Sequence, residues 1–281
     1  MRADLHSHSS ASDGTDPPAT VMRRARAAGL DVIALTDHDT VAGIAAASAA
    51  LPAGLTLVPG IELSARLGGH SVHLLGYLFD LADPALAAER AKITSSRAGR
   101  ARAMVARLAE LGAPVSWDQV AAIAGDGVVG RPHIARALAQ AGVVAGPADA
   151  FSPEWIGTGG RAYVRRYAPE PATAIGLIRA AGGVTVLAHP RAGGRGGRLS
   201  DEAIAGLAAA GLAGIEVDHP SQDRAERDHL RGLAASLDLI VSGGSDDHGE
   251  LTGYRLGCDT IAAENYQRLI AQAPGAAPVS G

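Results

Sequence analysis

Seven short apolar runs of β type, spaced by Ala- and Arg-rich stretches of helical character, set the strongest limit on how this chain can fold. They are Ala3–His8, Asp31–Thr36, Thr56–Leu63, His70–Tyr77, Val184–Ala188, Gly214–Val217 and Leu239–Ser242. Helical patterns lie between the early runs: Ala19–Ala28, entered through Pro17-Pro18 and ended by Gly29, and Val41–Ala50. Proline suits a first helical turn, whose N–H groups lack partners anyway, and glycine stops helices by accepting the left-handed conformation. Such alternation predicts parallel βα units and an α/β body. The rhythm breaks between Pro84 and Tyr167, where helix follows helix (Pro84–Leu111, Ser116–Ala124, Arg131–Ala141) with turns at Gly112 and Gly142. Three segments follow: 1–83 and 168–281 as the two parts of the α/β body, and 84–167 as a mostly helical insertion above it. The Ala/Pro/Gly-rich tail after Pro274 is expected to fray.

Composition narrows the function. With 25 basic and 29 acidic residues, net −4, no basic field would hold nucleic acid by bulk electrostatics. At 3% aromatic residues, a stacking platform for single strands is not expected either. Only Lys92 among the basic residues is a lysine, and Arg90-Ala91 before it excludes a phosphate-binding G-x-x-x-x-G-K-[ST] loop. The one cysteine, Cys258, excludes an intrachain disulfide and any Cys-based zinc cluster, and reads as a buried small hydrophobe. No apolar run reaches about 18 residues, and Met1–His6 lacks a signal peptide's apolar stretch. The expectation is a cytoplasmic protein without a membrane partner.

The ten histidines carry the chemistry. His6 and His8 are two apart on a strand and so share a face, with Asp13 in the turn that follows. Thr36-Asp37-His38-Asp39, Gly60-Ile61-Glu62-Leu63-Ser64, Ala188-His189-Pro190 and Gly244-Ser245-Asp246-Asp247-His248 each end or follow an apolar run, and His73 lies within another. A lone histidine at such a place is more often a satisfied core or surface residue. Six histidines and three carboxylates at the strand ends of one sheet are not. Imidazole and carboxylate without thiolate suit manganese, iron or zinc better than calcium or magnesium. Nine candidate ligands exceed what one ion takes, which points to two or three ions side by side.

In order and over nearly the whole chain, Asp4-Leu5-His6-Ser7-His8-Ser9, Ser12-Asp13-Gly14 and the four motifs above resemble the motif series of the PHP (polymerase and histidinol phosphatase) family. The resemblance implies a distorted seven-stranded (β/α) barrel, a trinuclear metal centre and phosphoesterase activity. It places the metal ligands on His6, His8, Asp13, His38, Glu62, His73, His189, Asp246 and His248, with Asp13, His38, His189 and His248 also catalytic. Manganese is the favoured ion, with iron or zinc as alternatives.

Within the family, Gly130-Arg131-Pro132-His133-Ile134-Ala135-Arg136 and Ser96–Arg102 resemble the stand-alone 3′,5′-nucleoside bisphosphate phosphatases, whose branch also trims RNA or oligonucleotides from the 5′ end. This implies a phosphomonoesterase that removes the 3′-phosphate of substrates such as pAp through a metal-bridging hydroxide. Arg97, Arg100, Arg131 and His133 would take the 5′-phosphate. Arg97 and Arg100 are i, i+3 on a predicted helix and share a face. Arg131 and His133 flank Pro132 at a helix start, where the dipole favours an anion. Two further readings are a 5′→3′ exonuclease on short RNA or oligonucleotides and a non-catalytic, metal-stabilised accessory module. No obligate protein partner is implied. Asp4, Asp37, Asp39 and Asp247 are placed to orient imidazoles or to cap turns, and His219 to line the pocket. The Gly193–Arg198 stretch reads as an active-site loop whose two arginines could meet substrate.

Overall fold

The apolar runs become one curved sheet whose strands follow the chain in order, β1 to β7. In the computed structural model, which describes residues 1–192 and 198–281, they are β1 (Ala3–Asp4), β2 (Val32–Leu35), β3 (Thr56–Leu67), β4 (His70–Tyr77), β5 (Val184–Leu187), β6 (Gly214–Asp218) and β7 (Ile240–Gly243). β1, β2 and β3 pair in parallel, as do β5, β6 and β7. Backbone bonds from His8 N to Asp247 O (2.9 Å) and from Asp246 N to His6 O (2.9 Å) bring the chain after β7 against the chain after β1. The sheet thereby nearly closes into a distorted seven-stranded (β/α) barrel.

Parallel order does not extend to β4. β4 pairs antiparallel with both β3 and β5. The turn Gly68-Gly69, with φ of 54° and 89°, folds β4 straight back on β3. Consecutive residues at positive φ make the tight hairpin that side chains resist, and alternation alone says nothing of strand direction. The C-terminal tail is pinned rather than frayed: β8 (Val279–Ser280) pairs with β3, and Gly281 N donates to Leu55 O.

Period-two alternation divides the sheet's side chains between two sides. Val32 and Ala34 join Leu5, Val58, Leu75, Tyr77, Val186 and Ile240 in one buried cluster. Ile33 and Leu35 point the other way, onto Val21 and Met22 of α1 (Pro18–Ala27) and Ile44 of α2 (Ile44–Ala49).

α3 (Pro84–Glu110) is 27 residues long, about 40 Å at 1.5 Å per residue. Asp83 caps it, its carboxylate accepting the Leu86 N–H at 2.8 Å. Leu86 and Ile93 in its first half pack into the barrel-side core with Ile61, Leu74 and Ile215. Met104 and Leu108 in its second half enter a separate core with Val120 of α4 (Trp117–Ala124) and Ile134 and Leu138 of α5 (Arg131–Gln140). Arg97 and Arg100 lie where the two cores meet. The chain returns to the barrel through α6 (Pro171–Ala180), then α7 (Asp201–Ala209), α8 (Arg224–Ser236) and α9 (Ala263–Ile270). No described helix is long and apolar enough to cross a membrane.

Ile215 is fully buried in the barrel-side core, whereas Val279 on β8 is 36% exposed. Ile215→Ala should lower unfolding free energy by about 2–5 kcal/mol and Val279→Ala by under ~1 kcal/mol. Urea denaturation of both variants checks the contrast.

Candidate metal centre

The strands deliver a ring of polar side chains to one end of the barrel. His6 and His8 follow β1, His38 follows β2, His189 follows β5, and Asp246 and His248 follow β7. Glu62 and His73 sit inside β3 and β4 rather than at strand ends. His73 lies opposite Ser64, one pleat along from Glu62 on the same face. Asp39, His189 and Asp246 have φ of 58°, 28° and 50°, a left-handed conformation that non-glycine residues rarely adopt. Gly244 permits the closest approach, since a Cβ there would lie 2.4 Å from the His6 Cβ.

Glu62 is fully buried and stands at the centre. Its Oε2 lies 3.3 Å from His6 Nε2, 3.2 Å from His8 Nε2 and 3.0 Å from His38 Nδ1. Its Oε1 lies 2.7 Å from His73 Nδ1 and 3.2 Å from His189 Nε2. Asp246 Oδ1 is 3.4 Å from His6 Nε2 and 3.1 Å from His8 Nε2. His248 Nε2 is 3.3 Å from Asp13 Oδ1, with His38 Nε2 3.9 Å from Asp13 Oδ2. Yet His6 Nε2, both His8 nitrogens, His38 Nδ1, His73 Nδ1, Glu62 Oε2 and Asp13 Oδ1 are buried without a hydrogen-bond partner. Ring nitrogens and carboxylate oxygens therefore crowd together without satisfying one another's hydrogen bonds, an arrangement that cations between them relieve. Two ligands each about 2.1 Å from one ion stand roughly 3.0–3.4 Å apart, as most of these do. The residues form four overlapping groups able to hold ions: His6, His189, Glu216 and His219; His6, His8, Glu62 and Asp246; His38, Glu62 and His73; His8, Asp13, His38 and His248. All nine residues expected as ligands are thus brought together.

Electrostatics keep the carboxylates charged. Burial pushes each carboxyl up, but the imidazoles outweigh it. His38, His73 and His6 hold Glu62 well below the usual carboxylate range, His38 and His248 do so for Asp13, and His6 and His248 for Asp246. Burial, with His38 and His189 nearby, in turn drives His73 down to about 4, against the pull of Glu62.

The carboxylate that orients the imidazoles is Glu216 on β6, which sequence reasoning missed. Its Oε1 lies 2.9 Å from His6 Nδ1, turning Nε2 of that ring toward Glu62, and its Oε2 accepts the His189 backbone N–H at 2.9 Å. The only sequence signal was an acidic residue inside an apolar strand. Of the two roles expected for the nearby aspartates, orienting imidazoles or capping turns, their contacts show the second. Asp37 accepts Ser9 N, Ser9 Oγ and Ser12 Oγ, bracing the loop that carries Asp13. Asp4 accepts the N–H groups of His6, Ser245 and Gly257, and Asp247 those of Gly249 and Arg255. Asp39 accepts Ser64 N and Oγ and pairs with Arg97 Nε.

That last contact ties the helical segment to the barrel one residue beyond His38. Arg97 and Arg100 are 6% and 7% exposed, and Arg100 Nε has no partner. Burial, with Arg97, Arg166 and Arg131 nearby, pulls Arg100 down to about 8. Burial and Arg97 lower Arg166 to about 9, against the pull of Asp39. Arg166 and Arg66 belong to this crowd and were not singled out from sequence. Arg131 stacks its guanidinium on the Phe151 and Tyr163 rings, 5.6 and 5.8 Å from their centroids. Crowded guanidiniums of this kind suit a phosphate, which offers paired acceptors and two negative charges.

His133 is 2% exposed, with Nδ1 accepting the Gly130 N–H at 2.9 Å. His219 lines the centre as expected, its Nε2 3.4 Å from Asp246 Oδ2 and unpartnered. Of the stretch expected as an active-site loop, residues 193–197 lie outside the described residues, and Arg198 pairs with Glu226. Cys258 is exposed, not buried: it sits in a loop between β7 and α9 with no core to enter.

Comparison with known proteins agrees with this chemistry. A PHP domain model matches residues 4–113. A 5′-3′ exoribonuclease of Haemophilus influenzae is 38% identical over 246 residues, 87% of this chain and 89% of that protein. A 3′,5′-nucleoside bisphosphate phosphatase of Chromobacterium violaceum is 36% identical over 254 residues, 90% and 89% of the two chains. A Bifidobacterium adolescentis structure described as a candidate metal-dependent phosphoesterase superposes with a TM-score of 0.89 at 34% identity, over 96% of each chain. Fold and site together define a hydrolase of phosphate esters that works with divalent metals. The chain belongs to the PHP family.

If Glu216 orients His6 and His189, Glu216→Ala should weaken divalent-metal affinity about 10- to 100-fold. Competition with a chromogenic chelator measures this, and unchanged affinity would remove Glu216 from the centre.

Proposed function

We propose that this enzyme removes the 3′-phosphate of 3′,5′-nucleoside bisphosphates, converting pAp to AMP and phosphate. The observation that carries the reading is the buried arginine group of residues 84–167, tethered through Arg97 to Asp39 beside His38. A phosphate ester needs only the barrel end for hydrolysis. A second group built for phosphate, next to it, fits a substrate with two.

In this reading Glu62 and the eight ligand residues around it hold two or three divalent ions, manganese first and iron or zinc as alternatives. Such ions lower the pKa of water and neutralise phosphoryl charge. Asp13, His38, His189 and His248 form part of the catalytic shell. Glu216 fixes His6, and Asp37 holds the loop of Asp13. Residues 84–167 act as the substrate cap, in which Arg97, Arg100, Arg131 and Arg166 grip the 5′-phosphate. The water oxygen bonds to phosphorus, the P–O3′ bond breaks, and the nucleoside 3′-oxygen gains a proton.

The identity to an exoribonuclease favours a second reading, 5′→3′ cleavage of short RNA. Release of a 5′-nucleotide from RNA breaks the same P–O3′ bond with the same 5′-phosphate gripped. The two activities differ only in whether the scissile phosphorus carries a further nucleotide, so one geometry serves both. Similarity along 87–90% of the chain to proteins named as an exoribonuclease and a bisphosphate phosphatase argues against a non-catalytic accessory role.

Protein purified in manganese should carry more than one ion per chain by elemental analysis, and lose phosphatase activity on strong chelation. One ion or none in fully active protein would overturn the shared centre. A charge-assisted contact contributes about 1.5–3 kcal/mol, so Arg131→Ala should lower kcat/KM for pAp roughly tenfold to a hundredfold. The loss should be far smaller on 4-nitrophenyl phosphate, which has only the scissile group. Equal losses would move the 5′-phosphate site elsewhere.

A further inference from the structure

We infer that His133 acts as a neutral Nε2–H donor to the nucleoside oxygen that leaves phosphorus, a role that rests on the substrate reading above.

The tautomer follows from one bond. Gly130 N–H donates to His133 Nδ1 at 2.9 Å, so Nδ1 must present a lone pair and the ring proton sits on Nε2. A second proton on Nδ1 would set two N–H groups face to face at the start of α5. The positive end of that helix also opposes a cation on the ring. Burial pushes the imidazole below the usual histidine range as well. His133 therefore stays neutral at neutral pH, with one donor to offer. A neutral imidazole at a helix N-terminus is an established way to stabilise developing oxyanion charge.

Its place in the fold supplies the acceptor. The segment entering α5 lies on the loop that carries Asp13. Val128 N donates to Ala11 O at 3.1 Å, and a Cβ on Gly127 would stand 2.5 Å from Ser10 O. A Cβ on Gly130 would come 3.4 Å from Arg97 Nη1. The His133 ring accordingly feels the charges of Asp13, Arg136 and Arg97. With the 3′-phosphate on the Asp13 side and the 5′-phosphate on the arginine side, the ribose and its P–O3′ bond lie between them. The bond from water oxygen to phosphorus forms as P–O3′ breaks. One water hydrogen ends on the 3′-oxygen and the other on phosphate, while His133 keeps its own proton. An alkoxide leaving group gains from such a hydrogen bond, and an acidic phenol needs it little.

Paired variants separate donor from cap. His133→Asn keeps an acceptor for Gly130 N–H but removes the distal donor, whereas His133→Gln sets an N–H near the Nε2 position. His133→Asn should lower kcat for pAp about 10²- to 10³-fold, with KM little changed. Its loss on 4-nitrophenyl phosphate should be at least tenfold smaller, and His133→Gln should recover most of the pAp rate. Nitrogen NMR of labelled histidine, assigned by difference against His133→Asn, should show a neutral ring protonated on Nε2. Equal losses on both substrates, an active His133→Asn beside a crippled His133→Gln, or a proton on Nδ1 would each overturn the role. Wild-type enzyme that cleaves 4-nitrophenyl phosphate but not pAp would instead overturn the substrate reading, and this role with it.

Discussion

Everything at the functional end of this barrel depends on one buried carboxylate. Glu62 has five imidazole nitrogens within 3.3 Å, and one of its oxygens makes no hydrogen bond. Burying a carboxylate with one oxygen left unpaired costs roughly several kcal/mol, as for other ions taken from water. Divalent ions turn that cost into binding energy, because the same crowd of lone pairs is a ready coordination shell. The chain folds so that the least tolerable polar group in its interior becomes the centre of its chemistry.

Holding such a crowd demands rigidity from its surroundings. Glu216 grips His6 and His189 at once, and Asp37, Asp4 and Asp247 tie the loops after β1 and β7 to their neighbours. These aspartates spend both oxygens on backbone and hydroxyl donors, which is why they orient loops rather than rings. Left-handed backbone at Asp39, His189 and Asp246 turns the chain sharply just past three strands. Conformations of this kind cost about 1–3 kcal/mol each and persist only where the packing around them overdetermines them.

The second constraint joins two cores. α3 begins in the barrel-side core and ends in the helical one, and at the crossing Arg97 reaches Asp39 and Ser64. The Arg97 guanidinium is thereby registered against the ring of histidines and carboxylates through one aspartate beside His38. Reach and chemistry are coupled by a contact of two side chains, not by a flexible linker.

Much of this was legible in the residues themselves. Short apolar runs of β type marked all seven barrel strands, Pro84 and Gly112 bracketed α3, and the motif series named the nine residues now found clustered on Glu62. Those features are local, written in neighbouring residues or in side-chain chemistry that tolerates no substitute. The antiparallel β4, the work of Glu216 and the presence of Arg66 and Arg166 among the arginines were not, and for the aspartates the residues left open the choice between orienting rings and capping turns. Strand direction, and the partner that a buried carboxylate or guanidinium finds, depend on residues tens to hundreds of positions away. A one-dimensional pattern carries periodicity and chemistry. Only chain closure in space decides that Glu216 meets His6 rather than water.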